Sequence, residues 1–101
     1  MEICFDPQVE KFIITLEKLT VAKVLRTIDL LENFGYRLGL PQSKKIKSNL
    51  FELRIRGRQE ARIFYTFKNG VIVLLHGFVK KSQKIPKQEL EQAIRKLQNL
   101  T

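Results

Sequence analysis

The chain has a single cysteine, Cys4, so it has no internal disulfide, and no disulfide framework can replace a hydrophobic core. Cys4 itself reads as a small buried residue near the end of an edge strand. His76 is the only histidine, and residues 42–87 contain no paired carboxylates, so no metal-ligand cluster is expected and no cofactor is implied. No run of about 18 apolar residues exists, which excludes a transmembrane helix and leaves no membrane partner. The opening MEICF has neither a basic n-region nor an apolar h-region, so a cytoplasmic chain is the expectation. Internal repeats and low-complexity tracts are also missing. Acidic residues are scarce in one place above all: residues 42–87 hold twelve Lys and Arg against two Glu.

That scarcity gives the charge a direction. The formal net charge is +9, yet residues 1–41 carry five basic and six acidic side chains, and residues 88–101 carry two of each. All of the excess positive charge therefore lies in the middle of the chain. Solubility alone does not require such segregation; a polyanionic partner does. At 101 residues with 44% apolar content, the expectation is a single domain, residues 1–101, able to bury roughly two-thirds of its unfolded surface.

The middle of the chain reads as sheet. Residues 50–56 alternate Phe51, Leu53 and Ile55 with Glu52, Arg54 and Arg56, the period of a half-buried strand. Residues 60–67 alternate again, and VIVLLH at 71–76 is apolar on both faces, as a doubly covered strand should be. Asn69-Gly70 predicts a two-residue type I′ turn, since both residues accept positive φ. With Gly57, Arg58 and Gln59 as a three-residue loop, Arg54 faces Arg62 and Arg56 faces Glu60. The second turn sets Phe67 against Ile72, Tyr65 against Leu74 and Ile63 against His76. One face is then wholly apolar and helix-covered. The other is open and bears Arg54, Arg56 and Arg62 beside Phe64 and Val73. A longer first loop would bury the arginines, at high cost.

The flanks read as helix. Residues 2–5 suit a short strand. Asp6-Pro7 opens a helix with the stripe Val9, Phe12, Ile13 and Leu16. Thr20 can cap a second helix with the stripe Val21, Val24, Leu25, Ile28 and Leu31, stopped by Gly35. Residues 36–49 form a connector carrying Lys44, Lys45 and Lys47, longer than a structureless loop in so small a domain usually is. After a brief continuation at Val79, Pro86 starts a last helix with the stripe Leu90, Ala93, Ile94 and Leu97. The order is β-α-α-β-β-β-α: an α+β fold with a small antiparallel central sheet, an N-terminal helical hairpin and a C-terminal helix, the helices on one face.

A helical hairpin followed by FELRI, ARIFYTF and LLHGFVKKSQKIP resembles the RelE/HigB superfamily of toxin–antitoxin toxins, in its phage-derived HigB-like branch, over nearly the whole chain. The resemblance implies a RelE-like fold and a small basic endoribonuclease that cuts mRNA, usually on the ribosome. It also implies a cognate antitoxin, expected to be a helix-turn-helix DNA-binding protein. Arg62 matches the arginine of the family's second long strand. Lys80, Lys81 and Lys84 match the basic segment before the last helix, where relatives carry catalytic Arg or Lys. The stretch KKSQKIPK departs from relatives in having no Tyr.

The chemistry can be argued beside the resemblance. Cleavage by the 2′-hydroxyl needs that oxygen deprotonated, the charge on the phosphate offset and the 5′ oxygen protonated; no metal is required. Arg62 is the expected phosphate ligand, because a guanidinium fork matches phosphate oxygens, and Arg54 is next. Lys80, Lys81 and Lys84 are candidate proton carriers, since crowding like charges lowers a Lys pKa. His76 is the only imidazole, and the register turns it toward the helix-covered face. Arg54, Arg56, Arg58, Lys44, Lys45 and Lys47 are candidate RNA contacts. Glu52 and Glu60 could act as bases, although pairing with Arg56 or Arg54 is the more ordinary role. A basic RNA- or ribosome-binding module without catalysis is the alternative.

Overall fold

The computed structural model describes residues 1–100. Asp6 accepts a hydrogen bond from the Gln8 backbone N–H and caps α1 (Pro7–Ile14), which follows the short strand β1 (Glu2–Phe5). Helix α2 (Lys18–Phe34) starts one turn before the sequence expectation: Glu17, not Thr20, is its cap residue. Thr20 lies buried in the first turn, which leaves its hydroxyl no capping position. Gly35 ends the helix with φ +52°, where a side chain would be strained.

The connector is not structureless. After a 3₁₀ turn (Gly35–Arg37), residues Ser43–Lys47 form strand β2, paired antiparallel to β3 (Leu50–Ile55) with a bulge between Lys45 and Lys47. The run SKKIK has too little apolar content to announce a strand. Pairing to a committed neighbour makes it one. Strands β4 (Ala61–Lys68) and β5 (Val71–Val79) complete a five-stranded sheet in the order β1-β5-β4-β3-β2. All neighbours are antiparallel except β1, which runs parallel to β5. Edge strand β1 leaves Cys4 exposed rather than buried.

The predicted pairings hold over most of the sheet. Arg54 faces Arg62, Tyr65 faces Leu74 and Phe67 faces Ile72. The two-residue turn closes with positive φ at Asn69 and Gly70. Between Tyr65 and Phe64 the register slips, however, because Leu75 is an extra residue in β5. Ile63 therefore faces Gly77, and Phe64 faces His76. A bulge leaves two consecutive residues on the same side of the strand. Here these are Leu75 and His76, both on the α3 side, whereas Leu74 belongs to the core under α1 and α2.

The sheet is covered on both faces, not on one. Val9, Ile13, Leu16, Val24, Ile28 and Leu31 of the hairpin pack on Leu53, Ile55, Ala61, Ile63, Tyr65, Ile72 and Leu74. Gly77 permits this closeness: a Cβ there would overlap the Phe12 ring. On the other face, α3 (Lys87–Gln98) sets Ala93 against Leu50, Phe64, Leu75 and Phe78. Ordinary alternation already sets Phe64, Val73 and Leu75 on this face; the bulge adds Phe78, and Leu90, Ile94 and Leu97 of α3 cover the patch. None of the described helices is long and apolar enough to cross a membrane.

Candidate nucleic-acid interface

The arginine-bearing face is divided in two. α3 covers the part over β5 and the end of β4. The rest holds a chain of charged groups on β3 and β4, and this chain is mostly buried. Glu52 is 1% exposed and Arg62 2% exposed. Arg54 Nε donates to Glu52 Oε1 at 3.1 Å. Arg62 Nε lies 3.7 Å from Glu52 Oε2, too far for a hydrogen bond, and neither of these two buried atoms has another hydrogen-bond partner. The remaining guanidinium nitrogens of Arg62 donate to the Ala61 carbonyl and, at 3.1 Å, to Glu60 Oε1. Arg62 therefore lies on the face the sequence assigns to it, but buried between two carboxylates rather than open to solvent. Alternation along β4 puts Glu60 and Arg62 on one side, and the pairing of Arg54 with Arg62 brings the Glu52 carboxylate alongside.

Glu60 links this network to solvent. Its Oε2 accepts the Gly57 backbone N–H at 2.9 Å. That hydrogen bond, with the Arg62 guanidinium and the more distant Arg56 charge, holds its carboxyl below the usual carboxylate range. The Lys80 N–H donates to the Glu60 carbonyl at 2.7 Å, so the segment leaving β5 is tied to the start of β4. This tie delivers Lys80 and Lys81 to a hollow of about 640 Å³, lined by Arg56, Glu60, Arg62, Lys80, Lys81, Ser82 and Gln83. Four cations and one carboxylate thus meet at one end of the sheet.

The other sequence candidates lie elsewhere. Lys84 is exposed outside the hollow, and its carbonyl accepts a hydrogen bond from Ser82 Oγ. Arg58 is exposed in the β3–β4 loop, and Arg54 is partly exposed beside Glu52. Lys44, Lys45 and Lys47 lie on β2 at the sheet edge, Lys44 opposite Glu52 and Lys45 opposite Phe51, hence on opposite faces. His76 is on the α3 side, not under the hairpin. Its Nε2 pairs with Glu89 Oε1 at 2.6 Å, and it lines a separate hollow with Gln8, Gln92 and Lys96. Lys96 in turn reaches Asp6 at 3.1 Å. Tyr65 is in the core as expected. Its hydroxyl bonds Ser43 Oγ, and burial pushes its phenol pKa up.

Sequence reasoning missed Ser82, Gln83 and the position of Glu60 within the hollow. For Glu60 the signal was present, since a residue two before Arg62 shares its side of the strand. For Ser82 and Gln83 there was none.

A mixed sheet with a helical hairpin on one face, a C-terminal helix on the other and a basic hollow at one end is an α+β domain of the RelE-like fold. Solved structures that share it include the YoeB dimer from Staphylococcus aureus and the heterotetrameric YoeB–YefM toxin–antitoxin complex from the same organism. The first is 22% identical with a TM-score of 0.55, the second 24% identical with a TM-score of 0.54, and each alignment covers 73% of this chain and 90% of that one. The chain belongs to the family of phage-derived Gp49-like proteins, whose model matches residues 11–98. No curated protein matches.

Proposed function

We propose that this chain is the toxin of a toxin–antitoxin pair of the HigB-like branch, a metal-independent endoribonuclease that cleaves mRNA on the ribosome and is silenced by a helix-turn-helix antitoxin. One observation carries the reading: Arg56, Arg62, Lys80 and Lys81 converge on one hollow, in a fold shared with the YoeB toxin. In this reading Arg62 offsets the charge that the phosphate gains as the 2′ oxygen attacks, and Lys80 and Lys81 hold the same phosphate from its far side. Glu60 is the one carboxylate lining the hollow. Its lowered pKa keeps it ionised and makes it a weak base.

Expression in cells followed by mapping of mRNA 5′ ends tests this reading. Wild type should arrest growth and generate new ends, and Lys80→Ala with Lys81→Ala should abolish both while melting normally. Growth arrest without new 5′ ends would reject the ribonuclease. A specific observation favours a second reading, an RNA-binding module without catalysis: the only imidazole is engaged by Glu89 in a separate hollow. Under the first reading His76→Ala, if folded, cuts like wild type.

A further inference from the structure

Glu60 holds an unusual position for a surface carboxylate. One oxygen takes the Gly57 N–H and the other takes the Arg62 guanidinium, and Glu60 and Arg62 both line the basic hollow. A backbone N–H in a turn paired with a guanidinium is an anion seat: two directed donors with positive charge behind them. Arg56, Lys80 and Lys81 around the same hollow add attraction for a second, external anion. Behind the seat, Glu52 lies against Arg62 Nε at 3.7 Å without a hydrogen bond, so it fixes the guanidinium in place without occupying its outward-facing nitrogen.

We propose that this seat, the Gly57 N–H with Arg62 Nη2, is a binding site for a phosphodiester oxygen, and that the Glu60 carboxylate is its resident occupant, displaced when RNA binds. The inference rests on the proposed ribonuclease reading and deepens it by naming a backbone donor and an exchange. The exchange is physically open: the Glu60 side chain is 33% exposed, so it can turn into solvent without breaking the core, while Arg62 is buried and stays. A carboxylate and a phosphodiester each carry one negative charge, so the guanidinium remains compensated throughout. Until a phosphate of the right geometry arrives, the seat is closed to chloride and stray anions by a covalently tethered competitor. The tether sets the threshold, because its local concentration must be outcompeted.

The test uses the whole chain and a short single-stranded RNA with 2′-O-methyl groups, which binds but cannot be cut through its 2′ oxygen. Binding is measured at low salt for wild type and Glu60→Gln, and the Gly57 amide resonance is followed during the wild-type titration. Expected is about tenfold tighter binding by Glu60→Gln, since a charged hydrogen-bonded competitor has been removed, and a saturable shift of the Gly57 amide. Any nearby charge removal strengthens RNA binding somewhat, so the amide is the discriminating readout. RNA binding that leaves the Gly57 amide unmoved, or equal affinities for wild type and Glu60→Gln, overturns the exchange while leaving the ribonuclease reading intact. RNA failing to bind either protein overturns both.

Discussion

The two faces of the sheet solve burial differently. Under α1 and α2 the core is built from aliphatic and aromatic side chains, which up to the bulge in β5 follow the period of their own strand or helix. The opposite face is divided between an apolar patch under α3 and a set of charges, Glu52 and Arg62 buried and Arg54 partly so. A charge can be buried only when paired, so this second face depends on who meets whom across strands. The first face is tolerant of detail. The second is not, and that is where the candidate interface lies.

Substitutions can break this contrast. Ile63 is fully buried under the hairpin, so Ile63→Asp should cost on the order of 4 kcal/mol or more and abolish cooperative thermal unfolding. Arg62→Ala comes next. It leaves Glu52 buried with Arg54 alone, and a loss on the order of 3 kcal/mol in urea denaturation is expected. Adding Glu52→Gln should restore part of that loss. If Arg62→Ala unfolds like wild type, the second face is no more demanding than an ordinary solvated surface.

Two smaller effects sharpen the comparison. The His76–Glu89 pair pins α3 where the apolar patch ends, and both partners are partly exposed. Glu89→Gln should cost roughly 0.5–1 kcal/mol and accelerate hydrogen exchange in α3 more than in α1. Equal acceleration in both helices would mean that the pair does not fasten α3 in particular.

The acid limb of stability gives the smallest effect. The Glu60 carboxyl is held below its usual value of 4.5, so its contribution is complete above that pH and is lost as pH falls through the lower, folded-state value. Partial exposure screens the gain. Glu60→Gln should therefore lower stability slightly and by a constant amount above about pH 6, and flatten the profile below about pH 4.5. An unaltered acid limb would show that Gly57 and Arg62 do not favour the ionised carboxyl.

Much of the fold was legible in the residues. The apolar alternation of β3 and β4, the Asn69-Gly70 turn, the Asp6-Pro7 helix start and the three apolar stripes each depend on neighbours within a few positions. The pairing of Arg54 with Arg62 followed from the length of one loop, and so did the shared face of the arginines. The concentration of charge in residues 42–87 is likewise a property of the chain alone.

What only the tertiary structure decided began with one extra residue. Leu75 has no partner on β4, and nothing in VIVLLH marks it, because every residue there is apolar or at the strand's end. That bulge turned His76 and Phe78 to the α3 side, where Phe78 extends the apolar surface of Phe64 and Leu75 that α3 covers. The burial of Arg62, the strand in residues 43–47, the exposure of Cys4 and the delivery of Lys80 and Lys81 to Glu60 depend on contacts between segments far apart in the chain. Periodicity reports which side chains share a side of their own element. Which side chains meet, and at what distance, depends on the packing of elements against one another, where a single unpaired residue reverses every side chain after it.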